Sequence, residues 1–207
     1  MRIGEKRLSA DHNLQDLRMV RIAPDHADWV VRWRMQPENR ARFLSDVEIT
    51  REMQLAWTER SRNDPTDLTL VALRAGAPVG MVALYDIADG HAEYGRILVD
   101  DACRRRRVGL AISGCIVAFG FAALKVESIH ANCQALNTAI LGLLDQLGFV
   151  RIDTWRHAPS GQDVVKLEIV RAAWSESAAC GFFDRLIPVV VHPECAAGIK
   201  GGTASSA

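Results

Sequence analysis

Seventeen consecutive residues without a charge, Val108 to Leu124, directly follow four arginines, Arg104 to Arg107. This run limits the fold more than any other feature, because a segment so apolar must be surrounded. A basic flank and an apolar run is also the pattern of a membrane span, for which about 17 residues is the lower length bound. Gly109, Ser113, Gly114 and Gly120 dilute its hydrophobicity, however, and Lys125 closes it abruptly. A helix packed across the middle of a sheet has the same pattern, and the segment is read as such a buried helix.

The periods on either side indicate what surrounds it. Leu17–Ile22 alternates apolar and polar residues as a half-buried strand does. Pro24 and Asp25 open a helix with Trp29 and Trp33 one turn apart, ended near Pro37. A second helix starts after Thr50, an N-cap with Glu52 in its first turn, and carries Met53 and Trp57 as its apolar stripe. After Asn63-Asp64-Pro65 the period becomes that of strands: Leu68–Arg74, Val79–Ile87 and Ala92–Val99, separated by turns at Ala75–Pro78 and Asp89-Gly90. Beyond the long helix come a strand from Ser128 to about Cys133 and a helix capped by Asn137, with Gly148 as its C′ residue. Val150–Trp155 and Asp163–Val170 form a closing pair of strands. This order describes a single mixed α/β domain. It spans residues 17–174, after an irregular lead-in over 1–16 and before a low-complexity, Ala/Gly/Ser-rich C-terminal extension over 175–207.

Composition removes several classes of function. Lys+Arg and Asp+Glu each number 25, so the formal net charge is 25 − 25 = 0. Nothing draws the whole chain to nucleic acid or anionic membrane, and neither is expected as a partner. Five cysteines, an odd number with no Cys-x-x-Cys, fit a disulfide framework poorly. The six histidines never fall at zinc-site spacing, so no metal is expected. The charged start, Met1 to Arg7, lacks the apolar core of a signal peptide, and a cytoplasmic location is expected.

The chemistry concentrates where the third strand hands over to the long helix, through Arg106-Arg107-Val108-Gly109-Leu110-Ala111. Exposed backbone N–H groups at a helix N-terminus bind anions, and the helix dipole favours phosphate there. Gly109 allows close approach and the arginines add charge. Further on stands Asn137-x-x-Ile140-x-x-Leu143-Leu144-x-x-x-Gly148-Phe149. Together with Arg-x-x-Gly-x-Ala, this resembles the GNAT superfamily of acyl-CoA N-acyltransferases over roughly residues 17–171. The resemblance implies a central mixed, mostly antiparallel sheet flanked by helices, and acetyl-CoA as acyl donor. It places the pyrophosphate on Arg107, Val108, Gly109, Leu110, Ala111 and Ile112. The pantetheine arm would pair with Ile97, Leu98 and Val99, and Asn137 would touch the coenzyme, although it is equally explained as a helix cap.

The tyrosine that commonly reprotonates the coenzyme thiolate in this family is Leu144 here. Tyr85 and Tyr94 are the only two tyrosines. Either could substitute, with Tyr94 the marginal choice, or the thiolate could leave unaided at a pKa of about 8.5. Glu93 matches the position where many family members carry a cleft glutamate and is the candidate base. His130 and Asn132 alternate along the next strand and can share its face. Asn132 stands where ribosomal-protein N-acetyltransferases place a glutamate, and an amide is no base; His130 is the second candidate. Val31-Arg32-Trp33-Arg34, Arg40 and Ile49-Thr50 through Trp57 are similar to acetyltransferases of nucleotide-linked amino sugars, of the pseudaminic acid pathway type. There they would form a lid, with Arg34 and Arg40 available to a phosphate-bearing substrate. The expected function is N-acetyl transfer to such a sugar or another small amine. A protein N-terminal acetyltransferase and a catalytically idle CoA-binding module are the alternatives, and a homodimer is left open.

Overall fold

One parallel strand pair inside an otherwise antiparallel sheet dictates where the long apolar helix must go. The computed structural model describes residues 16–43, 47–104 and 107–199. Most of the expected lead-in, Arg105, Arg106 and residues 200–207 lie outside these. The strands are β1 (Leu17–Arg21), β2 (Leu68–Arg74), β3 (Ala77–Ala88), β4 (His91–Val99), β5 (Ser128–Gln134), β6 (Val150–His157) and β7 (Gln162–Val170). They form one sheet in the order β1-β2-β3-β4-β5-β7-β6, in which only β4 and β5 run parallel. A parallel pair needs a crossover. Helix α4, Val108–Ala122, supplies it and packs against β3, β4 and β5.

The apolar run is therefore a buried crossover helix that ends at Ala122. At about 1.5 Å per residue it is too short for a hydrocarbon core of about 30 Å. Among the described residues, no helix is long and apolar enough to cross a membrane. Its small residues mark close approaches. A Cβ on Gly120 would sit 2.7 Å from Leu84 Cδ1 of the sheet, and one on Gly114 2.1 Å from the Phe183 ring.

Phe183 belongs to the segment expected to be a low-complexity extension, and its described part is instead core. Short helix α6 (Arg171–Glu176) leads to α7 (Ala178–Val190), which packs on α4 and β1. Trp174 is sealed between Phe121 and Phe183, with ring centroids at 6.0 and 6.2 Å. Met19 of edge strand β1 bridges to Val191 and accepts a hydrogen bond from the His192 N–H at 3.2 Å. The tail thus buries one face of α4 and covers a sheet edge. Its small residues allow that close packing, which is why composition alone disguised it.

The other sheet face carries α1 (Ala27–Arg34), the short α2 (Pro37–Arg40) and α3 (Arg51–Asn63) over Val71, Met81 and Leu98. Thr50 caps α3 as expected, its Oγ1 accepting the Met53 N–H at 3.3 Å. The expected apolar stripe, however, enters the core only through Trp57, which packs partly buried against it. Met53 is 48% exposed, whereas Gln54, Thr58 and Ser61 are buried. Those polar residues are satisfied by one another and by Asp67, so α3 can turn its apolar side toward a cleft.

Candidate active site

One extra residue in β4 creates the cleft. Met81 pairs with Leu98 but Ala83 pairs with Gly95, so β4 bulges between them. Arg96, inside the bulge, has φ +54, a left-handed conformation uncommon for a non-glycine residue. β4 pairs with β5 only from His91↔Ser128 to Tyr94↔Ala131. Beyond that point Gly95–Val99 and Asn132–Gln134 diverge around a cleft of about 1280 Å3. Helices α1 and α3 line one side of it, and α4 and α5 (Thr138–Gln146) the other.

At the far end of β4 lies the N-terminus of α4. Its N-cap, Arg107, has φ +56 and makes no side-chain capping bond, and residues Arg107 to Leu110 line the cleft. The Ala111 N–H already donates to Arg107 O at 3.0 Å, and Ala111 and Ile112 are buried in the core. This corrects the expected anion cradle. The amides of an α-helix are free only in its first turn, so those of Val108, Gly109 and Leu110 are open to an anion and those of Ala111 and Ile112 are not. Ile97, Leu98 and Val99 line the cleft. Asn137 lines it too while its Oδ1 caps α5, accepting the Ile140 N–H at 3.4 Å. Leu144 presents only hydrocarbon.

Strand register assembles a polar row at the other end. Tyr85 opposes Glu93, Glu93 opposes His130, and His130 opposes Glu168 across four neighbouring strands. The Tyr85 phenol donates to Glu93 Oε1 at 2.7 Å. Tyr85 itself lines the cleft, whereas Glu93 stands behind it. Burial, reinforced by the Glu93 hydrogen bond, pushes the Tyr85 phenol well above its usual range. His130 Nε2 lies 3.2 Å from Ser128 Oγ and 3.5 Å from Glu168 Oε1, while its Nδ1 is buried without a partner among the described residues. Burial lowers the His130 pKa against the opposing pull of Glu168. His130 does not reach the cleft lining.

Tyr94 lines the cleft, but its phenol turns away from it. Its phenol lies 2.7 Å from Ser113 Oγ of α4, fully buried on the opposite sheet face. Strand alternation explains this, because Glu93 and Tyr94 must point to opposite faces. Sequence reasoning ranked Tyr85 marginally below Tyr94 and did not single out Arg96. Arg96 stacks on Tyr85 and Trp57, its guanidinium carbon 4.1 and 5.1 Å from the ring centroids, and pairs with the Asp67 carboxylate. Arg34 lines the cleft but Arg40 does not.

A family model described as an acetyltransferase (GNAT) domain matches residues 16–150. No curated protein gives a sequence match. Among solved structures, the spermidine N-acetyltransferase from Vibrio cholerae in complex with CoA and spermine superposes with a TM-score of 0.71 at 14% identity, covering 78% of this chain and 99% of that one. A GNAT family acetyltransferase from Bacillus anthracis gives 0.66 at 15% identity, over 75% of this chain and 95% of that one. At such identities the likeness is one of fold.

Proposed function

The chain belongs to the GNAT acetyltransferase family and is an acetyl-CoA-dependent N-acyltransferase, and from that premise we propose that its acceptor is the primary amine of a small molecule, a nucleotide-linked amino sugar in first place. One observation carries the assignment of the site. The unpaired edge of β4, Gly95–Val99, runs directly toward an α4 N-terminus whose first-turn amides have no capping side chain. An amide-bearing arm can add to such an edge as a strand would, and a pyrophosphate suits amides at a helix N-terminus. The residues present therefore fit acetyl-CoA, with Val108, Gly109, Leu110 and Asn137 around its phosphates and Ile97, Leu98 and Val99 along its arm.

Acetyl-CoA supplies a thioester whose carbonyl the neutral amine attacks as the carbon–sulfur bond breaks. An ammonium acceptor gives up two protons on becoming an amide. Tyr85 takes the first as its own phenolic proton passes to Glu93, which releases it to solvent. The second neutralises the departing thiolate. In this assignment Tyr85 meets the acceptor, Glu93 is the base behind it, and His130 holds the Glu168 side of the row without touching substrate. The cytoplasmic assignment is supported by five cysteines that are all free thiols. The direct test measures CoA release with a panel of nucleotide-linked amino sugars, spermidine and an N-terminal peptide. Turnover restricted to the peptide would refute the small-molecule assignment.

A further inference from the structure

The cleft lining is cationic, although Arg96 is paired with Asp67 and Arg104 with Asp101 behind it. Among the described residues, Arg34, Arg42, Arg60, Arg96, Arg104 and Arg107 line the cleft, and no Asp or Glu does. Arg104 and Arg107 stand at the α4 end, where the coenzyme phosphates are assigned. Arg96 lies three residues up β4 from Val99, about 10 Å away along an extended strand. Arg34 faces it from α1.

Arg34 is the informative member. It is half-buried, lies 4.7 Å over the Phe43 ring, and has no carboxylate within ion-pair distance among the described residues. Burial lowers its pKa, and the like charge of Arg96 lowers it further. The Asp67 carboxylate bonds Arg96, Ser61 and Thr69 and makes no ion pair with Arg34. A guanidinium held half-desolvated beside another, with both planes fixed on aromatic rings, is an arrangement that an incoming anion completes.

We infer that Arg34 and Arg96 form an anion subsite that holds a phosphate or carboxylate group carried by the acceptor amine itself. This rests on the acetyl-transfer reading and narrows it: the acceptor is an anionic amine, and polyamines are rejected. The acceptor of the spermidine N-acetyltransferases that share the fold is a polycation, which this cleft would repel.

Inorganic pyrophosphate is the probe, added to protein already saturated with CoA so that the α4 end is filled, with melting temperature as the readout. Pyrophosphate should raise the melting temperature further, and spermidine should not. Arg34→Gln should weaken the pyrophosphate response by about 10- to 100-fold in affinity, the range for a lost charge-assisted hydrogen bond. The same variant should leave CoA affinity unchanged. Without ligand its melting temperature should stay near that of the wild type, because the lost like-charge repulsion with Arg96 and the lost contact over the Phe43 ring offset. Arg34→Lys keeps the charge but loses the fork and should fall between. Equal pyrophosphate responses in wild type and Arg34→Gln would overturn the subsite, as would stabilisation by spermidine in place of pyrophosphate. Failure of CoA to bind would count against the transferase reading alone. The Arg34 dependence of the pyrophosphate response would still decide the subsite.

Discussion

Gly109 separates what the fold requires from what the ligand requires. A Cβ there would lie 3.5 Å from both Leu143 Cδ1 and Val99 Cγ2, which is ordinary contact. The fold has room for alanine, and Gly→Ala in a helix stabilises by up to about 1 kcal/mol. Yet Gly109 lines the cleft beside the free first-turn amides, where a methyl group would stand between the backbone and a pyrophosphate. Acetyl-CoA at 100 times its Kd should stabilise the wild type by about 2.7 kcal/mol. At about 2–4 °C per kcal/mol for a chain of this size, the melting temperature should rise about 5–11 °C. Gly109→Ala should keep or raise the ligand-free melting temperature while losing much of that rise. Gly109→Asp, which adds a negative charge, should abolish it. Differential scanning fluorimetry with and without acetyl-CoA measures both quantities on one sample. The reasoning fails if Gly109→Asp retains the full ligand shift, or if Gly109→Ala lowers the ligand-free and ligand-bound melting temperatures equally.

Glu93→Gln and Tyr85→Phe should each keep acetyl-CoA affinity but lose about 100-fold or more in turnover near neutral pH, with partial recovery at high pH as the acceptor deprotonates unaided; Tyr94→Phe, which keeps the ring and removes only the hydroxyl bonded to Ser113, should turn over normally. Phe183→Ala should cost about 3–5 kcal/mol in urea unfolding. Gly114→Ala should cost about 1–3 kcal/mol through overpacking, less the helix gain, and the double variant should cost less than the sum, since the two residues touch. His130 resists protonation in the folded state because it is buried, whereas the unfolded chain takes up that proton below about pH 6.5. The unfolded state therefore binds more protons there, stability falls as the pH drops through that region, and His130→Gln should flatten the dependence in melting curves.

The parts of this molecule that depend on neighbours in sequence were legible. Thr50, Asn137 and Gly148 punctuate their helices where the chain itself indicates, because capping is a contact within one turn. Register was not legible. Pairing that starts from Ala88↔His91 would place Tyr85 opposite Tyr94 if the ladder were regular. An irregularity between Tyr85 and Ala88 moves Tyr85 opposite Glu93 instead and so builds the phenol–carboxylate pair. No local preference announces an irregular step of that kind. Helix α7 was missed for a related reason: Phe183 needs Gly114 on a distant helix, and neither residue alone advertises the other. Met53, exposed in the cleft while Trp57 packs partly on the core, shows that periodicity reveals which side chains share a face but not whether that face meets core or cavity.

The separation of β4 from β5 has a consequence for solution behaviour. Unpaired strand edges recruit other chains, and proteins usually charge, shorten or cover them. Here two such edges lie in the middle of the sheet, where neither end of the ladder can shield them. The layer of α1 and α3 covers Gly95–Val99 from one side, with α4 and α5 lining the other. Damage to that layer, for instance through the buried Gln54–Thr58 hydrogen bond, would do more than weaken acceptor binding. It would open a pair of vacant hydrogen-bonding rails to any extended segment of another copy, and the defect would surface as self-association before it surfaced as unfolding.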